Sequence, residues 1–208
     1  MVKEYWDTIS SIYDLFSRLY LGCLYKELID EILLRVRSQD TVLELAAGTG
    51  IVTQRLTEKC AHVFAVDISK KMLFKLKEKR LERIVKIANM DAESLGFKNN
   101  SFDKVICING LHVFRDPVLA LKEIKRVLKK GGYVISATFC YGDVRAMGFK
   151  IFLLLSGWFW ISGGIPPYLR QFDICSLLSI FQQAGFKVLS RKLLWQFPPF
   201  FYVEAFNF

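Results

Sequence analysis

Between positions 41 and 67 the chain reads as an apolar run, a loop of very small residues, a helical pattern and a second apolar run that ends on an acid. The residues are Val42-Leu43-Glu44-Leu45, then Ala46-Ala47-Gly48-Thr49-Gly50, and later Val63-Phe64-Ala65-Val66-Asp67. A strand–loop–helix–strand unit accounts for this order. Small residues let backbone approach a ligand closely, and loop amides at a helix N-terminus favour an anionic or polar group. A carboxylate closing the second strand can accept both hydroxyls of a ribose. The unit is therefore read as a holder for an adenosine-containing cofactor.

The rest of the chain repeats the alternation. Residues 1–38 read as two helices, with one apolar stripe at Tyr5, Ile9, Ile12, Tyr13 and Phe16 and another at Leu24, Leu28, Ile32 and Leu33. Strands are predicted at Thr41–Leu45, His62–Val66, Val85–Ala88, Lys104–Ile108 and Tyr133–Thr138, from Phe186, and at Phe201–Phe206. Helices are predicted from Gly50 to Lys59, over Lys70–Arg80 with Ser69 as N-cap, over Pro117–Lys129, and over Ile174–Ala184, the last stopped by Gly185. Strands alternating with helices imply right-handed crossovers and parallel pairing. The last two strands lack a helix between them and are expected as an antiparallel pair at one edge. The predicted fold is α/β, a doubly wound, mostly parallel seven-stranded sheet. It is read as one domain over 1–208: a helical cap at 1–38, a cofactor-binding core at 39–140, an apolar insertion at 141–170, and a C-terminal helix and strand pair at 171–208.

Two cofactor classes fail on spacing. A nicotinamide-dehydrogenase fingerprint G-x-G-x-x-G started at Gly48 puts Thr53 in the third slot, and started at Ala46 it lacks the first glycine. A phosphate-binding loop needs Lys followed by Ser or Thr after the glycines, and here Ile51-Val52 follows. The five cysteines, Cys23, Cys60, Cys107, Cys140 and Cys175, show no metal-ligand or redox spacing, and no metal site is expected. Their placement in apolar runs reads as core packing in a reducing, cytoplasmic setting. Met1 to Asp7 lacks a signal-peptide layout.

In order and spacing, several motifs resemble class I S-adenosylmethionine-dependent methyltransferases, and most of all the ubiquinone/menaquinone C-methyltransferase-like subgroup. Glu44 to Gly50 resembles their first motif, and Val66-Asp67-Ile68-Ser69 with Met72 the second. Asp91-Ala92-Glu93-Ser94-Leu95 is similar to the third. Ser101 to Val105, Asn109 to His112 and Leu121 to Gly132 are similar to the fourth and fifth. Ala46 stands where glycine is commonest, and Gly96 where the subgroup often has proline. The resemblance implies that Gly48 and Gly50 flank the methionine end of S-adenosylmethionine, approached by the loop around Ala46. It gives Glu44 the task of bracing the loop and helping to hold the amino group of the methionine end. It implies that Asp67 takes the ribose hydroxyls, that Ile68 and Met72 pack on adenine, and that Asp91 and Ala92 meet the adenine edge. Asn109 is implied beside the methionine arm and Tyr13 in a cap over the cofactor, with apolar-stripe packing an equal reading for Tyr13.

Methyl transfer from a sulfonium is expected to need alignment more than a dedicated catalyst, so the acceptor site is less legible than the cofactor site. His112 is the one histidine near the end of the fourth strand. It reads either as a general base or as a residue ordering that loop. The insertion is rich in aromatics, with Phe149, Phe152, Trp158, Phe159, Trp160 and Tyr168. It reads either as packing over the sheet or as the wall of a pocket for a hydrophobic acceptor such as a quinone, an isoprenoid or a lipid-like molecule. Its uncharged stretch Ile151 to Ile165 is short for a membrane span, and peripheral contact with a membrane surface is the expectation that goes with a greasy acceptor. The net charge of +9 admits an RNA substrate. The Asn/Asp-Pro-Pro-aromatic segment of base-modifying enzymes of this class is absent at Asn109-Gly110-Leu111-His112, so nucleic acid is not the expected partner. A non-catalytic cofactor-binding regulator is a further alternative.

Overall fold

The computed structural model describes residues 2–140, 168–196 and 199–208. Most of the aromatic insertion, the Gly163-Gly164 and Pro166-Pro167 pairs and Pro198 lie outside the described residues. So do the side chains of Phe16, Cys23 and Leu24.

Two N-terminal helices, α1 (Val2–Ile9) and α2 (Tyr13–Arg35), precede the alternating core. The core runs β1 (Thr41–Leu45), α3 (Ile51–Leu56), β2 (His62–Asp67), α4 (Lys70–Lys77), β3 (Val85–Asn89) and β4 (Phe102–Ile108). It continues through a short 3₁₀ turn (Leu111–Val113), α5 (Pro117–Val127) and β5 (Leu128–Phe139). Helix α6 (Ile174–Gln183), β6 (Lys187–Gln196) and β7 (Pro199–Phe206) complete the described chain. The seven strands form one sheet in the order β3-β2-β1-β4-β5-β7-β6. Strands β1 to β5 pair in parallel, and β7 is antiparallel to both β5 and β6.

The sheet separates two apolar cores because its strands alternate faces. Val63 and Ala65 of β2 and Ile106 of β4 pack with Leu28, Ile32, Leu56 and Leu76 from α2, α3 and α4. Val66, Val105 and Val134 pack on the other face with Leu121 and Ile124 of α5 and Leu177 and Phe181 of α6. Helices on both faces and a strand order that reverses beside β1 define a doubly wound α/β fold.

Local signals account for most helix boundaries. The Ser69 hydroxyl accepts from the Met72 N–H at 3.1 Å and starts α4. The Asp116 carboxylate accepts from Val118 and Leu119 N–H, both at 3.0 Å, with Pro117 at the first helical position. Asp173 and Ser176 form a capping box at α6.

Several boundaries differ from the sequence expectation, and α3 and α4 end about one turn early, at Leu56 and Lys77. The first stripe is broken at Ser10–Ile12, so Tyr13 opens a second helix instead of continuing the first. Helix α5 stops at Val127 rather than Lys129. Leu128 already pairs with Phe102, and the Asn207 side chain satisfies the carbonyls of Lys125, Leu128 and Lys129. The expected antiparallel pair lies at one edge, with β7 between β5 and β6.

Candidate active site

Beyond the carboxyl ends of β1, β2 and β4 lies a cavity of about 270 Å³. Its wall includes Ala46 and Gly48 from the loop after β1, Asp67 and Ile68 from the end of β2, Met72 of α4, Asp91 and Ala92 after β3, and Asn109 after β4. Tyr13 and Trp6 cover it from the N-terminal helices. Nine of the residues expected at a cofactor therefore meet around one space, at the strand-order switch where doubly wound sheets bind ligands.

The loop is held by its backbone. Ala46, Gly48 and Gly50 all take left-handed φ values, 53°, 57° and 83°. At Gly48 an added Cβ would meet nothing nearer than the Ala46 carbonyl oxygen at 4.0 Å. At Gly50 it would fall 2.2 Å from Leu76 Cδ1, inside the core. Gly50 thus serves close packing against α4, and it does not line the cavity. Gly50→Ala is expected to cost about 2 kcal/mol, from the left-handed strain and the displaced Leu76. Thermal denaturation checks this, and an unchanged midpoint would contradict the packing role.

Asp67 is 9% exposed. Its carboxylate accepts from the Gly48 N–H at 2.9 Å and from the Ser69 N–H at 2.8 Å, tying the loop to the end of β2. Burial raises its pKa to about 6, against the opposing pull of those N–H donors. Asp91 accepts from the Glu93 N–H at 2.9 Å. Glu93, also on the wall, takes two N–H groups of Arg115 on one oxygen and the Asp116 N–H on the other.

Glu44 is placed elsewhere. It is 3% exposed, lies behind the loop, and accepts from the Thr53 hydroxyl at 2.5 Å. That bond braces α3 against β1, and Glu44 does not reach the cavity wall; burial raises its pKa to about 8.

The cap is pinned at two points. The Asp7 carboxylate accepts from the Ser69 hydroxyl at 2.5 Å and the Lys71 N–H at 3.2 Å, and Asp14 accepts from the Thr49 hydroxyl. Ile9 packs on Met72, with Tyr5, Trp6, Ile12 and Tyr13 around them. Both packing and cavity contact hold for Tyr13 and Met72.

Residues 43–136 match the family described as Methyltransferase domain. A demethylmenaquinone methyltransferase of Thermotoga maritima is 32% identical over 166 residues, 77% of this chain and 71% of the relative. The chain belongs to the class I S-adenosylmethionine-dependent methyltransferases. A ubiquinone/menaquinone biosynthesis C-methyltransferase of Coxiella burnetii is 29% identical over 66% of this chain, and the aligned stretch spans 59% of that relative's length. In fold, the chain is similar to a chain of the complex between the Haloferax volcanii Trm112 methyltransferase activator and a methyltransferase. The TM-score is 0.76, with 17% identity and 97% of both chains covered.

Within this methyltransferase, His112 is 6% exposed and does not line the cavity. Its Nδ1 shares a 2.6 Å hydrogen bond with the Thr138 hydroxyl, its ring meets Phe139 edge-on, and its carbonyl accepts from the Arg170 N–H at 2.7 Å. Burial lowers its pKa to about 4. The geometry is that of a neutral imidazole ordering the loop after β4 and the chain at Arg170. It does not favour a base aimed at a ligand.

The sequence reading passed over Trp6, Met90, Glu93, Val113, Phe114 and Arg115 as wall residues. Val113 to Arg115 could have been found from their place directly after the end of β4. Tyr168, among the aromatics read as either sheet packing or pocket wall, lines the cavity with a left-handed φ of 63°. Among the described residues no group of three or more His, Cys, Asp or Glu could hold a metal ion.

Proposed function

We propose that this chain transfers a methyl group from S-adenosylmethionine to a small hydrophobic acceptor, such as a quinone, isoprenoid or lipid-like molecule, by in-line displacement. The observation that carries this reading is the convergence of Gly48, Asp67, Asp91, Ala92 and Asn109 on one cavity under a helical cap.

The residues fit that cofactor. Asp67 has acceptor capacity beyond its two backbone bonds for the ribose hydroxyls. Ile68 and Met72 offer apolar surface to adenine, with Asp91 and the Ala92 backbone at its edge. Gly48 leaves open the space a side chain would fill. Asn109 meets the same cavity at the end of β4. Glu44 and Gly50 act from behind by holding the loop.

When bound, the cofactor supplies a methyl group activated by the positive charge on sulfur. What the chain adds is alignment and exclusion of water, which together can supply on the order of 7–11 kcal/mol. Trp6 and Tyr13 close one side, and Val113, Phe114 and Tyr168 present apolar surface on the other. Support for an apolar acceptor comes from that surface, from the aromatic composition of the insertion, and from the quinone-related names of the relatives. Peripheral contact with a membrane surface belongs to the same proposal. No helix among the described residues is long and apolar enough to cross a membrane.

Calorimetric titration with S-adenosylmethionine, followed by acceptor-dependent formation of S-adenosylhomocysteine across a panel of apolar acceptors, tests the reading. Binding without turnover on any acceptor would favour a regulator. Liposome flotation tests the membrane contact. For His112→Gln, turnover within about threefold of wild type and an unchanged pH–rate profile are expected. A general base contributes a hundredfold or more, so a loss of that size would restore His112 as the base.

A further inference from the structure

Among the described residues of the cavity wall, Arg115 is the only cation, and it stands with Val113 and Phe114 in the segment after β4. Its side chain is 64% exposed, so it reaches the wall from the surface. It is nevertheless held at two points. Glu93, whose side chain is buried, takes the Nε and Nη2 N–H groups on one oxygen at 3.0 and 2.7 Å. The other Glu93 oxygen takes the Asp116 N–H at 2.9 Å. The Arg115 carbonyl accepts from the Arg170 guanidinium, and the Arg170 N–H is bonded to the His112 carbonyl at 2.7 Å.

A guanidinium has donors on two edges and no acceptor. Glu93 occupies one edge of Arg115, and Nη1 has no acceptor among the described residues. Because the fork is planar and rigid, fixing one edge orients the other. Charge decides what that open edge suits. Glu93 neutralises Arg115, and the acids Asp91 and Asp116 outweigh the charge of Arg170. The neighbourhood offers hydrogen-bond donors without an excess of positive charge, so a full anion gains little there.

We propose that Arg115 is a specificity-determining residue for the methyl acceptor: its open N–H edge takes an uncharged carbonyl or phenol oxygen of a ring whose apolar body lies against Phe114 and Tyr168. This rests on the methyltransferase reading above and adds the polar feature that the acceptor carries. A ring with no oxygen at that place, or with a carboxylate there, binds less tightly.

The test titrates protein saturated with S-adenosylhomocysteine with three probes of similar size. These are 1-tetralone, a neutral ketone; 1-naphthoate, a carboxylate; and naphthalene, which has no oxygen. The wild-type protein is expected to bind 1-tetralone most tightly. Arg115→Met is expected to weaken 1-tetralone about fivefold, the scale of one net hydrogen bond, and to leave naphthalene within about twofold. Glu93→Gln keeps an oxygen for the Asp116 N–H but leaves Arg115 uncompensated. In that variant 1-naphthoate is expected to gain about threefold, the scale of an exposed ion pair, while 1-tetralone does not gain. A pair that served only to satisfy the buried Glu93 would not produce this change of preference, and Glu93→Gln carries the test if Arg115→Met fails to fold. A wild-type protein with no preference for 1-tetralone, equal losses of 1-tetralone and naphthalene in Arg115→Met, or unchanged preference in Glu93→Gln would overturn the assignment. Wild-type protein that does not bind S-adenosylhomocysteine would instead remove the cofactor reading itself.

Discussion

Replacing Asp67 by alanine is expected to lower affinity for S-adenosylmethionine or its product about ten- to a hundredfold. Hydrogen bonds to a charged group contribute ~1.5–3 kcal/mol net, and on the proposed reading the variant loses those to the ribose. It also frees the Gly48 and Ser69 N–H groups that the carboxylate now holds, so the loop after β1 loses its tether to β2. Calorimetry with S-adenosylhomocysteine reads the loss, and unaltered affinity would count against placing the ribose at the end of β2. The same carboxylate makes a pH prediction. With its pKa raised to about 6 by burial, cofactor affinity in the wild-type protein is expected to decline as pH falls below 6, because protonation removes the charged acceptor.

Glu44→Gln is expected to stabilise the protein at pH 8. The Glu44 carboxyl has a native pKa of about 8 against 4.5 for the free group, raised by burial and by the nearby charge of Asp67, and opposed by the Thr53 hydroxyl and Lys79. Below pH 4.5 both the native and the unfolded chain hold the proton. From 4.5 to 8 the unfolded chain has released it while the native chain retains it, so stability falls as pH rises. The full penalty, on the order of 5 kcal/mol, is reached above pH 8. A glutamine keeps an oxygen for the Thr53 hydroxyl and carries no titrating group. Thermal melts at pH 5 and pH 8 should show this part of the pH slope in the parent and not in the variant. Identical slopes would show that Glu44 is not the group responsible.

Much of the fold was legible because its signals are local. Ser69, Asp116 with Pro117, and Gly185 act on neighbours within a few positions, so the helix limits they set could be placed from residue type alone. The loop from Ala46 to Gly50 was recognisable for the same reason, although the residue pattern made no distinction between the two glycines. Gly48 faces the cavity and Gly50 faces Leu76, a residue 26 positions further along. Only the packing of α4 against that loop separates their roles. Glu44 was expected to help hold a ligand group, yet the alternation of β1 turns it behind the loop toward Thr53.

The order of motifs along the chain determined the sheet, its doubly wound character and the end at which a cofactor would sit, since parallel crossovers have one hand and place their loops together. Tertiary structure alone decided how the expected cap is pinned and what surrounds the site. Asp7 reaches Ser69 because the first stripe breaks at Ser10–Ile12, and Tyr25 meets Asn109 because α2 folds back over the sheet. His112 loses its ordinary pKa because Thr138 and Phe139 bury it. Each of these depends on groups far apart in sequence being brought into contact, and no periodicity or motif encodes which distant partner a polar side chain will find.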